Sequence, residues 1–173
     1  SLIDSHTTSA IRAAAPPSTN TAKYRKELEE VRMYSKSATR EQIAIVHYWG
    51  DGIASYTPPG HWNEIAADDF VKQRFSEVRW ARNLALLNMA EMDAAITCWD
   101  TKYAFFNPRP SQVDPSIKTH TGLPNFPAYT SGHSTFSAAA ATILGHIIPS
   151  RAAAYTAMAK QASRANKNRL NGR

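Results

Sequence analysis

Two basic side chains and a Ser-Gly-His tripeptide have the residue types and spacing to bind an anion and act on it. Lys102 and Arg109 lie seven residues apart, and a helix that reached Arg109 would place both on one side. Arginine supplies a planar fork of donors, and lysine supplies a compact point charge. The pair suits a tetrahedral oxyanion such as phosphate or vanadate, and Pro110 would stiffen the backbone that follows.

The tripeptide stands directly before an apolar stretch that we predict to be a helix. Free N–H groups at a helix start favour an anion, and Gly132 has no side chain to hold its N–H away from an oxygen. Ser131 can cap the helix or donate to the anion. His133 can transfer a proton near neutral pH, so the tripeptide adds acid–base chemistry.

Each feature has a simpler explanation when it is taken alone. A lysine and an arginine at this spacing are often only the solvated face of a helix, and Ser-Gly-His can be an N-cap followed by a surface histidine. The two features occur here in one short stretch and in a fixed order. Their combination favours an anion site.

The elements that must position these residues are helices. Apolar residues recur with helical periods, and no stretch shows the alternation of a β-strand. We predict an all-α bundle of about six or seven helices over residues 22–173, after an extended arm or linker at residues 1–21. The predicted helices cover residues 22–36, 39–49, 61–74, 77–105, 131–148 and 152–171.

Local signals refine this bundle. Thr39 and Gln42 have the spacing of a capping box. Tyr56–Gly60 is predicted to be a turn, and residues 111–131 a long loop. The helix over residues 77–105 carries apolar residues on a broad face, which predicts burial on several sides.

The composition is that of one globular domain, with 173 residues of which 43% are hydrophobic. The net charge is +6, and the basic residues form no block. An anionic small substrate explains this charge at least as well as nucleic acid, and we expect no nucleic-acid partner. The longest apolar run is too short and too polar to span a membrane. A single cysteine, Cys98, excludes an internal disulfide framework.

A divalent metal could use a second group of residues that lie near one another in the sequence. These residues are His47, Asp51, His61 and Asp68–Asp69. A capped helix end and surface carboxylates explain them more simply, and we prefer that explanation.

The two anion-binding motifs resemble those of the type 2 phosphatidic acid phosphatase superfamily, and within it the bacterial vanadium-dependent haloperoxidase branch. Lys-x6-Arg-Pro is complete from Lys102, and Pro-Ser-Gly-His is matched at residues 131–133 with Thr130 in place of the proline. The flanking segments Tyr56–Asn63 and Phe126–Tyr129 also resemble the haloperoxidase branch. The resemblance implies an all-α helical bundle of the acid phosphatase/vanadium haloperoxidase type.

The resemblance also implies roles for individual residues. His133 would be the catalytic acid–base group, and Lys102 would be both catalytic and anion-binding. Trp99 and Phe126 stand at the offsets of the residues that line the halide side of the pocket in fungal-type chloroperoxidases. The implied ligands of vanadate or phosphate are Lys102, Arg109, Ser131, Gly132 and Arg169.

The third superfamily motif, Ser-Arg-x5-His, is incomplete. Ser163-Arg164 matches its start, but Leu170 occupies the position of the histidine. A better register aligns Asn168 with the serine and Arg169 with the anion-binding arginine. The histidine, which binds vanadium or attacks phosphorus, would then fall two residues after Arg173. We therefore expect the polypeptide to continue past Arg173, with no metal ligand within the given sequence.

The activity that the resemblance implies is that of a vanadate-dependent haloperoxidase, which uses hydrogen peroxide to oxidise halide to hypohalous acid. His133 would help to deprotonate the peroxide, and Lys102 would polarise it once bound. The alternative on the same fold is a phosphomonoesterase, which takes a phosphate ester as substrate and needs no cofactor. We expect an extracytoplasmic location, either periplasmic or secreted.

A third hypothesis is a non-catalytic helical domain, which gains weight if the chain ends at Arg173. The alanine-rich segments Ala138–Ala141 and Ala152–Ala154 would let helices pack closely. Such packing could occur within one chain or between the subunits of a homo-oligomer.

Overall fold

The computed structural model describes the backbone of residues 8–119 and 122–170, and the side chains of these ranges up to residue 165. This part of the chain contains helices and no β-strand, so the predicted all-α class is confirmed. The elements are α1 (Ala22–Ser37), α2 (Arg40–Tyr48), α3 (Thr57–Lys72), α4 (Glu77–Phe105), α5 (Pro110–Val113), α6 (Gly132–Ile147) and α7 (Ala152–Leu170), with 3-10 turns at Thr8–Ala10 and Pro149–Arg151.

Side-chain caps fix the starts of the first two α-helices. The Thr21 hydroxyl accepts a hydrogen bond from the N–H of Tyr24 at 3.2 Å. Thr39 and Gln42 form the predicted capping box, in which each side chain accepts a hydrogen bond from the other residue's N–H. These bonds satisfy donors that have no partner within the helix.

Helix α3 begins earlier than predicted. It starts at Thr57, and Pro58 and Pro59 lie in its first turn, where a missing N–H costs no helical hydrogen bond. The turn predicted at Tyr56–Gly60 is therefore wrong. Left-handed residues occur just before the helix and at its first residue, with φ of 70° at Ala54 and 62° at Thr57.

The core forms where α6 packs against α4 and α7, with α2 and α3 alongside. Trp49 and Trp62 are fully buried in it, and the Trp62 indole N–H donates to Ser137 Oγ at 3.0 Å. A Cβ added at Gly145 would lie 3.2 Å from the Cβ of Ala152, so α6 and α7 approach closely. Gly145 and Ala152 thus pack against each other within the chain.

Helix α4 is buried along one side rather than on several, which corrects the expectation from its broad apolar face. Asn83, Leu87 and Cys98 are buried, whereas Val78 and Met92 are more than half exposed. The apolar pattern therefore covers more of the helix than the described residues bury. No helix of the described ranges is long and apolar enough to cross a membrane.

The segment before α1 packs on α4. The Arg12 guanidinium binds the Asp100 carboxylate at 2.6 and 2.9 Å, and the N–H of Ala13 donates to Thr101 Oγ1 at 3.3 Å. The Tyr129 hydroxyl donates to the carbonyl of Ala14 at 2.9 Å. The division of the chain at residue 21 stays a prediction, although part of the arm lies against the bundle.

Glu91 is a buried carboxyl group in the middle of α4. It is 2% exposed, and both of its oxygens lack a hydrogen-bond partner within the described ranges. Burial disfavours the charged form and raises the pKa of Glu91 from 4.5 to about 8. The folded protein therefore holds a proton here that the unfolded chain releases near pH 4.5.

Replacing this carboxyl group should change how stability depends on pH. Glu91 contributes stability that is complete below its unfolded pKa and is lost as the pH rises through about 8. We expect Glu91→Gln to flatten the fall in unfolding free energy between pH 5 and pH 8, measured by urea denaturation. The exposed Glu27 provides a matched control, and Glu27→Gln should keep the wild-type slope. Equal slopes in all three proteins would contradict the prediction.

Candidate anion-binding site

The predicted site residues with described side chains line one cavity of about 670 Å³. The end of α4, the start of α5, the loop after residue 122 and the start of α6 form most of its wall. The sequence-predicted residues in the wall are Trp99, Lys102, Arg109, Phe126, Ser131, Gly132 and His133. The fold therefore brings together residues that are up to 34 positions apart in the chain (133 − 99).

Lys102 is buried in the wall of this cavity, with 1% of its surface exposed. Its ammonium group donates to the backbone carbonyls of Pro127 at 2.9 Å, Ala128 at 3.2 Å and Thr130 at 2.5 Å. An ammonium has three donors, so Lys102 directs all of them to the loop that leads to the tripeptide. Burial lowers the pKa of Lys102 to about 8, with a smaller lowering from the charge of Arg109.

Arg109 reaches the cavity by a different route from the one predicted. Helix α4 ends at Phe105, and Phe106 turns the chain with a left-handed φ of 47°. Arg109 then lies at the N-cap of α5, where its N–H donates to Gln112 Oε1 at 2.7 Å. Its Nη2 donates to the carbonyl of Phe126 at 2.8 Å. The two cations thus meet across a turn and not along one helix face.

The tripeptide forms the start of α6, as predicted. Ser131 is the N-cap, and its Oγ accepts a hydrogen bond from the N–H of Ser134 at 3.2 Å. Gly132 is the first residue of the helix, so its N–H is among the donors without a partner in the helix. The Ser134 hydroxyl lies 2.8 Å from Ser163 Oγ and ties α6 to α7.

Aromatic rings line the cavity beside the cations. The Trp99 and Phe126 rings lie 5.1 Å apart, and the Trp99 and Phe136 rings 6.1 Å apart. The Phe126 ring centre lies 5.0 Å from Lys102 Nζ and 5.2 Å from Arg109 Cζ, which are cation–π distances. The two residues predicted to line the halide side are therefore neighbours in the structure.

An acidic residue that was not predicted as part of the site lies in the cavity wall. Each Asp51 carboxylate oxygen is 3.1 Å from His61 Nδ1, and both side chains are almost completely buried. The His61 ring stacks on Trp49 with centroids 4.5 Å apart. Within the described ranges, no group of three His, Cys, Asp or Glu residues could hold a metal ion. The sequence grouped Asp51 and His61 only as possible metal ligands. Their ten-residue separation did not predict that the two side chains would contact each other.

The donor chemistry of the cavity fits a tetrahedral oxyanion such as vanadate or phosphate. Lys102 and Arg109 supply positive charge, and the start of α6 supplies N–H and hydroxyl donors. Asp51 is the only carboxylate in the described part of the lining, and His61 partners it. The side chain of Arg169 and everything after Leu170 lie outside the described residues. The third motif therefore stays a prediction.

Comparison with known proteins gives a sequence-profile match and a similar fold. Residues 83–165 match the sequence profile of the PAP2 superfamily. The fold is similar to the crystal structure of a protein described as the first bacterial vanadium-dependent iodoperoxidase, with a TM-score of 0.83 and 25% sequence identity. The match covers 94% of this chain and 48% of the iodoperoxidase, so the chain spans about half the length of that protein. The curated proteins contain no match to the sequence.

The fold match confirms the predicted helical bundle, and the profile match agrees with the resemblance of the two motifs to the superfamily.

Anion binding in this cavity should depend on the charge of Lys102. Because the pKa of Lys102 is about 8, we expect phosphate affinity to fall between pH 7.5 and 9.5, measured by titration calorimetry. Lys102→Met should weaken binding roughly tenfold at pH 7.5, which is about 1.4 kcal/mol, and should remove this pH dependence. Lys118 is exposed, and Lys118→Met should behave as the wild type. An unchanged wild-type affinity over this range would contradict the role given to Lys102.

Proposed function

We propose that the protein is a vanadate-dependent haloperoxidase that oxidises halide with hydrogen peroxide, since residues 83–165 match the profile of the PAP2 superfamily. The observation that carries this choice is the Trp99–Phe126 ring pair, whose centroids lie 5.1 Å apart beside two buried cations. The similarity to an iodoperoxidase supports the same choice.

In this proposal, different residues of the cavity bind the anion and transfer the proton. Lys102 and Arg109 would hold the negative charge of vanadate, with N–H donors from the start of α6. Vanadate itself would supply Lewis-acid chemistry without a change of metal oxidation state. His133 would take a proton from hydrogen peroxide, and Arg169 stays a predicted ligand of the anion.

The aromatic pair suits the halide side because it combines an apolar surface with nearby positive charge. Ring edges carry partial positive charge. They can therefore contact a halide ion favourably and bring no negatively charged atom close to it. Phe126 also lies within cation–π distance of Lys102 and Arg109. A poorly solvated halide near these two charges would be held more strongly than in water.

The second candidate is a phosphomonoesterase, and the donor set favours it as well. Cations and helix-start N–H groups that hold vanadate would also stabilise the charge of a transferring phosphoryl group. His133 would then protonate the leaving oxygen, and phosphate would belong to the substrate without any cofactor. A non-catalytic helical domain is the third candidate, and it predicts no anion in the cavity.

Activity assays with and without orthovanadate separate these candidates. We expect the purified full-length protein, which would include the histidine predicted after Arg173, to oxidise iodide or bromide with hydrogen peroxide only when orthovanadate is present. Hydrolysis of p-nitrophenyl phosphate without vanadate, inhibited by added vanadate, would overturn the haloperoxidase assignment in favour of the phosphatase. Absence of both activities and of phosphate binding would favour the non-catalytic domain.

His133 provides a test of the acid–base step. His133→Ala should lower kcat roughly 10²–10⁴-fold, the usual contribution of a positioned proton-transfer group, while phosphate still binds. His146 lies exposed on the same helix, and His146→Ala should retain wild-type turnover. If His133→Ala turned over at the wild-type rate, the residue would have no catalytic role.

A further inference from the structure

The cavity is much larger than the anion that its basic end would hold. Its volume of about 670 Å³ falls in the range of pockets that bury whole organic ligands. A tetrahedral oxyanion needs only the part lined by the two cations and the start of α6. The remaining wall is mainly apolar and includes Pro58, Pro59 and Pro124, while its outer part is marked by the exposed Ile53 and Leu123.

Ile53 is the most unusual residue of this outer part, because its side chain is fully exposed at the cavity mouth. Leu123 is also exposed, on the loop that leads to Phe126. An exposed isoleucine gains nothing from folding, since its apolar surface stays in water. Contact with an apolar ligand would remove that surface from water.

The loop that carries Ile53 is held in a fixed and strained shape. Asp51, Ala54 and Thr57 have φ of 43°, 70° and 62°, which are left-handed values that strain residues other than glycine. The Ser55 hydroxyl donates to the carbonyl of Gly52 at 2.7 Å. Such strain persists only where the surroundings compensate for it, and it is frequent at ligand-binding loops.

The compensation comes from the Asp51–His61 pair at the base of the loop. Both carboxylate oxygens lie 3.1 Å from His61 Nδ1. The His61 ring is enclosed by Trp49, Tyr48 and Tyr56, with centroids 4.5, 4.7 and 5.3 Å away. This buried anchor positions Ile53 without itself offering an open carboxylate to the cavity.

We propose that the mouth of the cavity is a subsite for a neutral aromatic ring, with Ile53 as its outer contact and the Phe126 ring as its inner contact. Aromatic rings favour offset or edge contacts at the spacings seen among Trp99, Phe126 and Phe136. A phenol would place its ring at the mouth and its hydroxyl toward His133.

The role of this ring as a substrate rests on the proposed function. Hypohalous acid from halide oxidation would transfer its halogen to the ring. One ring C–H bond breaks as a C–halogen bond forms, and the released proton combines with the hydroxide of the hypohalous acid to give water. Bound in the subsite, the ring would present a preferred carbon, whereas free hypohalous acid would react in solution without that constraint.

Binding of 2-naphthol tests the subsite directly. We expect saturable binding by titration calorimetry, weakened at least about tenfold by Ile53→Asp. Val78 is also exposed, but it lies 21 residues before Trp99 on α4, about 30 Å along the helix. Val78→Asp should therefore leave 2-naphthol affinity within about twofold of wild type. Equal binding by the two variants, or no saturable binding by the wild type, would overturn the subsite.

Two further readouts separate failure of the subsite from failure of the proposed function. Phosphate affinity should be the same in wild type and in the uncharged variant Ile53→Asn to within about twofold, because this change adds no charge to the cavity. If 2-naphthol binds as expected but no vanadate-dependent halide oxidation occurs, the subsite stands and the haloperoxidase assignment fails. If oxidation occurs and Ile53→Asp leaves 2-naphthol binding unchanged, the assignment stands and the subsite fails.

The product isomers show whether the bound ring is the halogen acceptor. With bromide and phenol, the wild type should give an ortho-to-para ratio different from that of free hypobromous acid. Ile53→Asp should shift the ratio toward the free-acid value. A wild-type ratio equal to that of free hypobromous acid would overturn the acceptor role.

Discussion

The buried ammonium of Lys102 among three backbone carbonyls is the contact on which the candidate anion site depends. Its donors hold the carbonyls of Pro127, Ala128 and Thr130 in one cluster, and Arg109 adds a bond to Phe126. A loop that would otherwise have no regular structure is thereby fixed from Phe126 to the start of α6. Because burying a charge is costly unless it is hydrogen-bonded, this loop and the cation stabilise one another.

The same contact determines how the cavity can act on an anion. Lys102 contributes mainly its charge, because its N–H groups are already directed to carbonyl oxygens. Directional donors must then come from Arg109 and from the start of α6, where Gly132 opens the helix. Charge and hydrogen-bond geometry are thus supplied by different residues. The aromatic wall lowers the local polarity and strengthens the effect of both.

The helices and the members of the site were predictable because their sequence signals are local. The capping box at Thr39 and the Lys-x6-Arg-Pro motif each occupy a few residues. The partners of Lys102 were not predictable, because they are carbonyls 25 to 28 residues away and a carbonyl has no side-chain signature. The contact of Asp51 with His61 depends on a turn whose left-handed residues are not glycines. The broad apolar face of α4 did not predict its burial correctly, because the pattern shows which residues are apolar but not which other elements pack against them.

The left-handed Phe106 at the end of α4 gives the interval between Lys102 and Arg109 a different meaning from the one that its length suggests. The seven residues span the end of α4, a reversal of the chain and the start of α5. Their number therefore reflects the course of the backbone and not two turns of one helix. Most substitutions between the two cations would keep this path. A single inserted or deleted residue would displace the guanidinium from the carbonyl of Phe126, even with every side chain preserved. For this stretch, the number of residues is a stricter requirement than their identity.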